Sequence, residues 1–316
     1  MSDPEEKPSR LRGLVIRLGL TALALGAWAY VARGSLGTIA RSLGRLEPLA
    51  FVVGIGLVIC GFALGTWRWR LVLRAYGAGR LPPFGAMLRV LLVGHFYNTF
   101  LPGNVGGDAL RGHVTRGSLP SAGAYVAVFI ERGFGLAGLL VLASATALFR
   151  PVPGMAALPA IAALGLVAAL GAAFAPVVAR RLGRFFPGKL GEVLSTMPSV
   201  VRPALLVPVL FLSVGVQFLA ALVGHVALSS LAPEVTLAES VVLVPLALVA
   251  LYFPTIAGLG ARELAFVVLF RGIGVSEADA TATSFAFLGV QLAVAGLGGL
   301  LMALRGTDLG TPESDG

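Results

Sequence analysis

The run AGAYVAVFIERGFGLAGLLVLASATALF, residues 122–149, decides how this chain must fold. Its length suffices to cross a bilayer, for which about 20 predominantly apolar residues are needed. Yet Glu131 and Arg132 stand in its first half. At about 1.5 Å per residue they lie roughly 15 Å into a spanning helix, near mid-bilayer. Insertion costs about 2.5–3.5 kcal/mol for each ion, and each Leu, Ile, Val or Phe returns about 0.3–0.6. The twelve such residues of the run bring the segment only near break-even. Ions in that position face a bundle interior and have partners. Neighbouring residues on a helix diverge by about 100°. Glu131 and Arg132 therefore pair elsewhere, with Asp108, Arg111 and Glu263 as candidates. Two readings stay open: a network that only fixes helix packing, and a functional site.

The rest of the chain has the same solvent preference. Of its 316 residues 57% are hydrophobic and only 12% are charged, and the mean hydropathy is +0.91. Soluble domains carry about 25% charged residues, so a water-soluble globule is excluded. The net charge of +9 does not point to nucleic acid. Most of the basic residues sit in short connections between apolar runs, where cytoplasmic loops collect them. With one cysteine, Cys60, there is no disulfide framework and no cysteine-based metal site. His95, His113 and His225 are scattered, and no cofactor is expected.

Spans are expected at 14–32, 49–66, 122–149, 157–178, 203–228, 239–253 and 276–304. The fold class is all-α, a polytopic membrane bundle of about seven or eight transmembrane helices. Two broken or re-entrant segments, around 85–107 and 252–271, complete it. Residues 13–304 form one integral-membrane domain between polar, disordered ends, 1–12 and 305–316. The first span has a basic approach but no small-residue cleavage site, so it is retained. An inside N-terminus puts Lys7, Arg10, Arg12, Arg68, Arg70, Arg74, Arg80, Arg89, Arg111, Arg116, Arg180, Arg181, Arg184, Lys189 and Arg202 on the cytoplasmic side. Only Arg33, Arg41, Arg45 and Arg150 fall outside, so this orientation is expected, in an inner (plasma) membrane. The stretch Arg68–Arg80 is expected to meet lipid head groups, with Trp28, Tyr30, Trp67 and Trp69 as interfacial anchors.

The broken segments hold most of the remaining polar residues. In HFYNTFLPGNVGGDALRGHVTR, residues 95–116, an apolar stretch acquires His95 and Asn98 and stops at Pro102-Gly103. Gly106, Gly107, Asp108 and Arg111 follow. Irregular backbone at membrane depth survives only against protein or a wet cavity, and the amides of such a glycine-rich turn can hold an anion. An ordinary cytoplasmic turn is the competing reading. The second segment, YFPTIAGLGARE at 252–263, breaks at Pro254, passes Gly258 and Gly260, and delivers Arg262-Glu263. Paired interruptions of this kind point to a midplane site in transporters built from repeats. His225 and Gln217 are expected to make helix–helix hydrogen bonds.

Taken in order, these motifs resemble the flippase-like transmembrane region of the lysylphosphatidylglycerol synthases. They are N-x-x-L-P-G-x-x-G-G-D-x-x-R over Asn98–Arg111, then Glu131-Arg132, then P-x-x-x-G-x-G-x-R-E over Pro254–Glu263. The resemblance covers about residues 12–304. It implies a bacterial plasma-membrane protein that translocates a lipid or a lipid-linked glycan. A soluble aminoacyl-transferase domain is not expected here, because only a short polar tail follows the last span, so lysyl transfer is not implied.

The leading expectation is a translocator for an anionic lipid or a polyprenyl-phosphate-linked glycan. Arg111, Arg132 and Arg262 would balance phosphate, and the Gly103–Gly107 amides would contact it. Asp108, Glu131 and Glu263 would balance charge or relay protons. Without a nucleotide-binding glycine loop, energy would come from a gradient or from downhill flow. The alternative is a membrane-embedded transferase, or an accessory to one, with Asp108 and Glu131 as acid and base. Partners are then a membrane lipid or lipid-linked glycan, and enzymes of lipid or glycan synthesis. A third reading, an assembly partner with no substrate of its own, gives the broken segments no role.

Overall fold

A computed structural model describes residues 36–100, 106–119, 122–152, 154–186, 188–252 and 258–305, together with a few positions before Leu36. These residues form eleven α-helices and no strand. In chain order they are α1 (Leu36–Gly44), α2 (Pro48–Ala75), α3 (Phe84–Phe100), α4 (Gly106–Thr115), α5 (Gly123–Phe149), α6 (Leu158–Gly183) and α7 (Lys189–Ser195). There follow α8 (Leu206–Leu231), α9 (Leu237–Leu248), α10 (Ala261–Arg271) and α11 (Glu277–Arg305). Short 3-10 turns at Pro203–Leu205 and Val249–Tyr252 open α8 and extend α9. The expected first span, 14–32, and both polar ends lie largely outside the described residues.

Among the described residues, five helical segments are long and apolar enough to cross a membrane by length and composition: Pro48–Ala75, Gly123–Phe149, Leu158–Gly183, Pro203–Leu231 and Glu277–Leu304. The stretch Leu237–Leu251 is apolar but shorter. Described helices flank each broken segment: α3 and α4 the first, and α9 with its 3-10 extension and α10 the second. Residues 101–105, with Pro102 and Gly103, and residues 253–257, with Pro254, lie outside the described residues.

The largest departure from the expected spans is at the end of α2. It was expected to stop near residue 66 and to give way to a basic connection, but it runs on to Ala75. Trp67, Arg68, Trp69 and Arg70 offer no helix breaker, and Arg and Leu are good helix formers. The helix stops only where Gly77 takes φ +92°. There the N–H of Gly77 donates to the Arg74 carbonyl and that of Ala78 to the Leu73 carbonyl, which satisfies the last carbonyls of the helix. The extension turns Arg68 and Trp69 inward, away from the lipid-facing roles expected of them.

Helix α8 is the hub of the bundle, packing on α2, α5, α9 and α11. One apolar core gathers Phe266, Phe270, Leu243 and Val244 around α9, α10 and α11. Another gathers Trp69, Leu73, Met87, Val90 and Phe134 around α2, α3 and α5. Small residues let the helices approach closely, as they do wherever lipid supplies no hydrophobic drive between them. A Cβ on Gly138 of α5 would sit 2.6 Å from the Ser213 Cβ on α8. Gly133, five residues earlier on α5, faces open space.

Gly138→Ala should therefore lower stability by about 1–3 kcal/mol through forced separation of α5 and α8. Gly133→Ala should be neutral or slightly stabilising, because it gains helix propensity without a clash. Thermal unfolding in detergent, followed by helical circular dichroism, checks the pair.

Candidate functional site

Between the two cores lies a cavity of about 380 Å³. Ligand cavities span about 300–1,000 Å³, so this one is of ligand size. Helices α2, α3, α4, α5, α8 and α11 all contribute to its wall, and Leu251 closes one side. The wall changes character along α2, from Leu57 and Val58, through Gly61, Phe62 and Gly65, to Arg68. The eleven steps of helix from Leu57 to Arg68 rise about 16 Å. Val223 of α8 and Phe287 of α11 add to the apolar part, and ionised side chains gather at the Arg68 end.

Glu131 organises the ions. Its carboxylate is buried, with 3% of the residue exposed. Oε1 accepts from Arg68 Nε at 2.6 Å, and Oε2 accepts from Arg111 Nη2 at 2.9 Å. Arg68 is steadied by donating from Nη1 to Ser213 Oγ on α8 at 3.2 Å. The guanidinium of Arg111 lies 4.6 Å over the ring of Trp69, which is fully buried. Such cation–π contacts contribute about 2 kcal/mol when desolvated. Asp108 accepts from Arg132 Nε at 2.6 Å and lies 3.8 Å from Arg111 Nη1. Glu131 and Arg132, adjacent in sequence, thus have different partners, as their divergence on a helix requires.

The close approach of α4 to α3 brings Asp108 and Arg111 to this point. Gly107 rests on the backbone of Gly94, where a Cβ would come within 2.4 Å of the Gly94 carbonyl oxygen. The Gly107 N–H donates to Asn98 Oδ1 at 2.9 Å, satisfying one of the free amides at the start of α4. Asp108 in that first turn also complements the helix dipole. One turn before Asn98, the His95 ring stands against Phe62 and donates from Nε2 to the backbone carbonyl of Gln291 at 3.2 Å. Gln217 donates to the Gly135 carbonyl at 3.1 Å and also borders the cavity. His225 meets Ser240 Oγ across α8 and α9 at 3.0 Å.

The cavity wall thus carries Asn98, Gly107, Asp108, Arg111, Glu131 and Arg132 together. Gly106 is exposed at the start of α4. The second motif goes elsewhere. Gly258 and Gly260 take φ +73° and +80°, and Gly260 precedes the first turn of α10. Arg262 and Glu263 are buried against α11 in a closed set of their own. Glu263 pairs with Arg262 and accepts from the Gly260 N–H at 2.7 Å, and Arg262 Nε donates to Ser284 Oγ at 2.9 Å. None of these four residues lines the cavity.

Arg68, Trp69, His95 and Gln291 complete the site without having been singled out for it in the sequence. For the first two a signal existed. Gly54, Val58, Gly61, Gly65, Arg68 and Val72 recur at three- and four-residue intervals, one helix face continuing past the expected end of the span.

Removing one partner of a buried ion pair costs about 3–5 kcal/mol, and Glu131 has two. Glu131→Gln should therefore destabilise by at least that amount. Asp108→Asn should cost about 1 kcal/mol or less, because Arg132 is 37% exposed and its pair is correspondingly weak. Unfolding in mixed micelles separates the two, and equal losses would show that the network is not centred on Glu131.

A search of curated proteins gives no match. The family model for the lysylphosphatidylglycerol synthase transmembrane region matches residues 14–299, a stretch that takes in both broken segments and Glu131-Arg132. The chain is accordingly a membrane-spanning helical protein of the lysylphosphatidylglycerol synthase transmembrane-region family.

Proposed function

We propose that the chain translocates an amphiphile with an anionic head group, a phospholipid or a polyprenyl-phosphate-linked glycan, across a plasma (inner) membrane in which its N-terminus is cytoplasmic. The observation that carries this reading is the polarity of the cavity wall. Over the same few turns it passes from Arg68, Arg111 and Arg132 to Leu57, Val58, Val223 and Phe287. A head group at the charged end and the first part of an apolar chain at the other would match both environments. Asp108 and Glu131 keep the arginines from accumulating an unopposed charge in a low-dielectric site. Movement of the amphiphile follows a gradient or its own concentration difference.

The ion pairs weigh against acid–base chemistry. Both oxygens of Glu131 are already engaged by the guanidinium groups of Arg68 and Arg111, which leaves neither placed to exchange a proton with a substrate. Arg262 and Glu263 support the bundle beside the second break in this reading, at a distance from the head group.

The test is dithionite quenching of head-group-labelled lipid in proteoliposomes. The wild-type chain should accelerate exchange between leaflets, and Arg111→Ala should slow it at least about tenfold, the loss expected for one charge-assisted contact of about 1.5–3 kcal/mol. Unchanged rates in both Arg111→Ala and Glu131→Ala proteins would remove these residues from the path. Mass spectrometry of the same lipids should show no covalent change.

A further inference from the structure

The charges on the cavity wall do not balance. Among the described residues, the charged side chains there are Arg68, Arg111, Arg132, Asp108 and Glu131. Three guanidinium groups against two carboxylates leave one positive charge. The internal partners are already engaged: each oxygen of Glu131 faces a different arginine, and Asp108 lies 2.6 Å from Arg132 but 3.8 Å from Arg111. Arg111 is only 6% exposed, and its Nε has no hydrogen-bond partner among the described residues. A buried donor left in this state is costly. It lies at the place where the charge is in excess.

The other polar side chains of the lining include Asn98, Gln217 and Gln291, which carry no charge. The cavity therefore offers one surplus positive charge.

We infer that the cavity selects a head group with a single phosphodiester charge over a diphosphate or a zwitterion. The inference rests on the translocator reading and deepens it. One phosphodiester supplies the one negative charge by which the two carboxylates fall short of the three guanidinium groups. A diphosphate brings further negative charge against Asp108 and Glu131. A zwitterion brings an ammonium group among three arginines. A glycerophospholipid with a polyol head and a prenyl phosphate sugar share the favoured chemistry.

The experiment measures binding of short-chain fluorescent probes to the full chain in phosphatidylcholine nanodiscs. The probes are phosphatidylglycerol, a prenyl monophosphate glucose, the matching prenyl diphosphate glucose and phosphatidylethanolamine. At least one of the two phosphodiesters should bind about tenfold or more tighter than the diphosphate and the ethanolamine lipid, as one uncompensated charge at close range implies. The tighter of the two phosphodiesters identifies the source of the head group. Asp108→Asn, which adds one positive charge, should shift preference toward the diphosphate by about tenfold. Arg132→Gln should weaken the preferred phosphodiester. A wild-type preference for the diphosphate or the zwitterion, or equal binding of all four, overturns the inference without recourse to either variant. So does an unchanged ranking in variants that fold. Binding of no probe to the wild-type chain removes the head-group site itself, and with it the translocator reading. The expected ranking without acceleration of leaflet exchange leaves the inference standing and overturns translocation.

Discussion

The structure turns on one carboxylate held between two guanidinium groups inside an apolar bundle. Glu131 joins Arg68 of α2 to Arg111 of α4, and it does so from α5. A buried ion is tolerable only with its partners in place, so the three helices are fixed relative to one another by the cost of separating them. The other contacts of the site serve that arrangement. Ser213 on α8 holds the far side of Arg68, Trp69 lies under Arg111, and Asn98 with Gly107 keeps α4 pressed onto α3. The ions are thereby placed on the wall of a cavity rather than dispersed through the core.

This placement has a functional cost and a functional use. A packed apolar core of the same volume would often be as stable or more stable, so helix packing alone is a poor reason for five ionised side chains in the wall. Their arrangement gains meaning from the wall they share with Leu57, Val58 and Phe287, because an amphiphile presents the same polarity change along its length. The second buried set, Arg262 with Glu263 and Ser284, lacks this relation to open space. It closes on itself between α10 and α11, and the Glu263 bond to the Gly260 amide ties the start of α10 down.

The fold class was legible in the sequence because hydropathy and length act through bulk solvent transfer, which needs no knowledge of neighbours. The partners of the intramembrane charges were legible in part: Asp108 and Arg111 were among the candidates since a buried ion demands a nearby opposite charge, whereas Glu263 found a closer partner in Arg262. Arg68 and Trp69 were misassigned to the membrane surface because a cluster of arginine and tryptophan next to an apolar run satisfies that reading by composition. Only the continued helical phase from Gly61 through Gly65 distinguishes an inward face from a loop. His95 and Gln291 depend on α3 lying against α11, a long-range packing that local pattern does not encode.

The central claim is that an anionic head group enters the cavity next to the Glu131 network. Photo-crosslinking with a phosphatidylglycerol probe carrying a diazirine on its head group, followed by peptide mass spectrometry, tests it most directly. Adducts should concentrate on wall residues such as His95, Gln217 and Arg132, and excess unlabelled phosphatidylglycerol should suppress them. Adducts confined to the outward-facing Val207, Phe211 and Phe218, unaffected by competitor, would contradict the account.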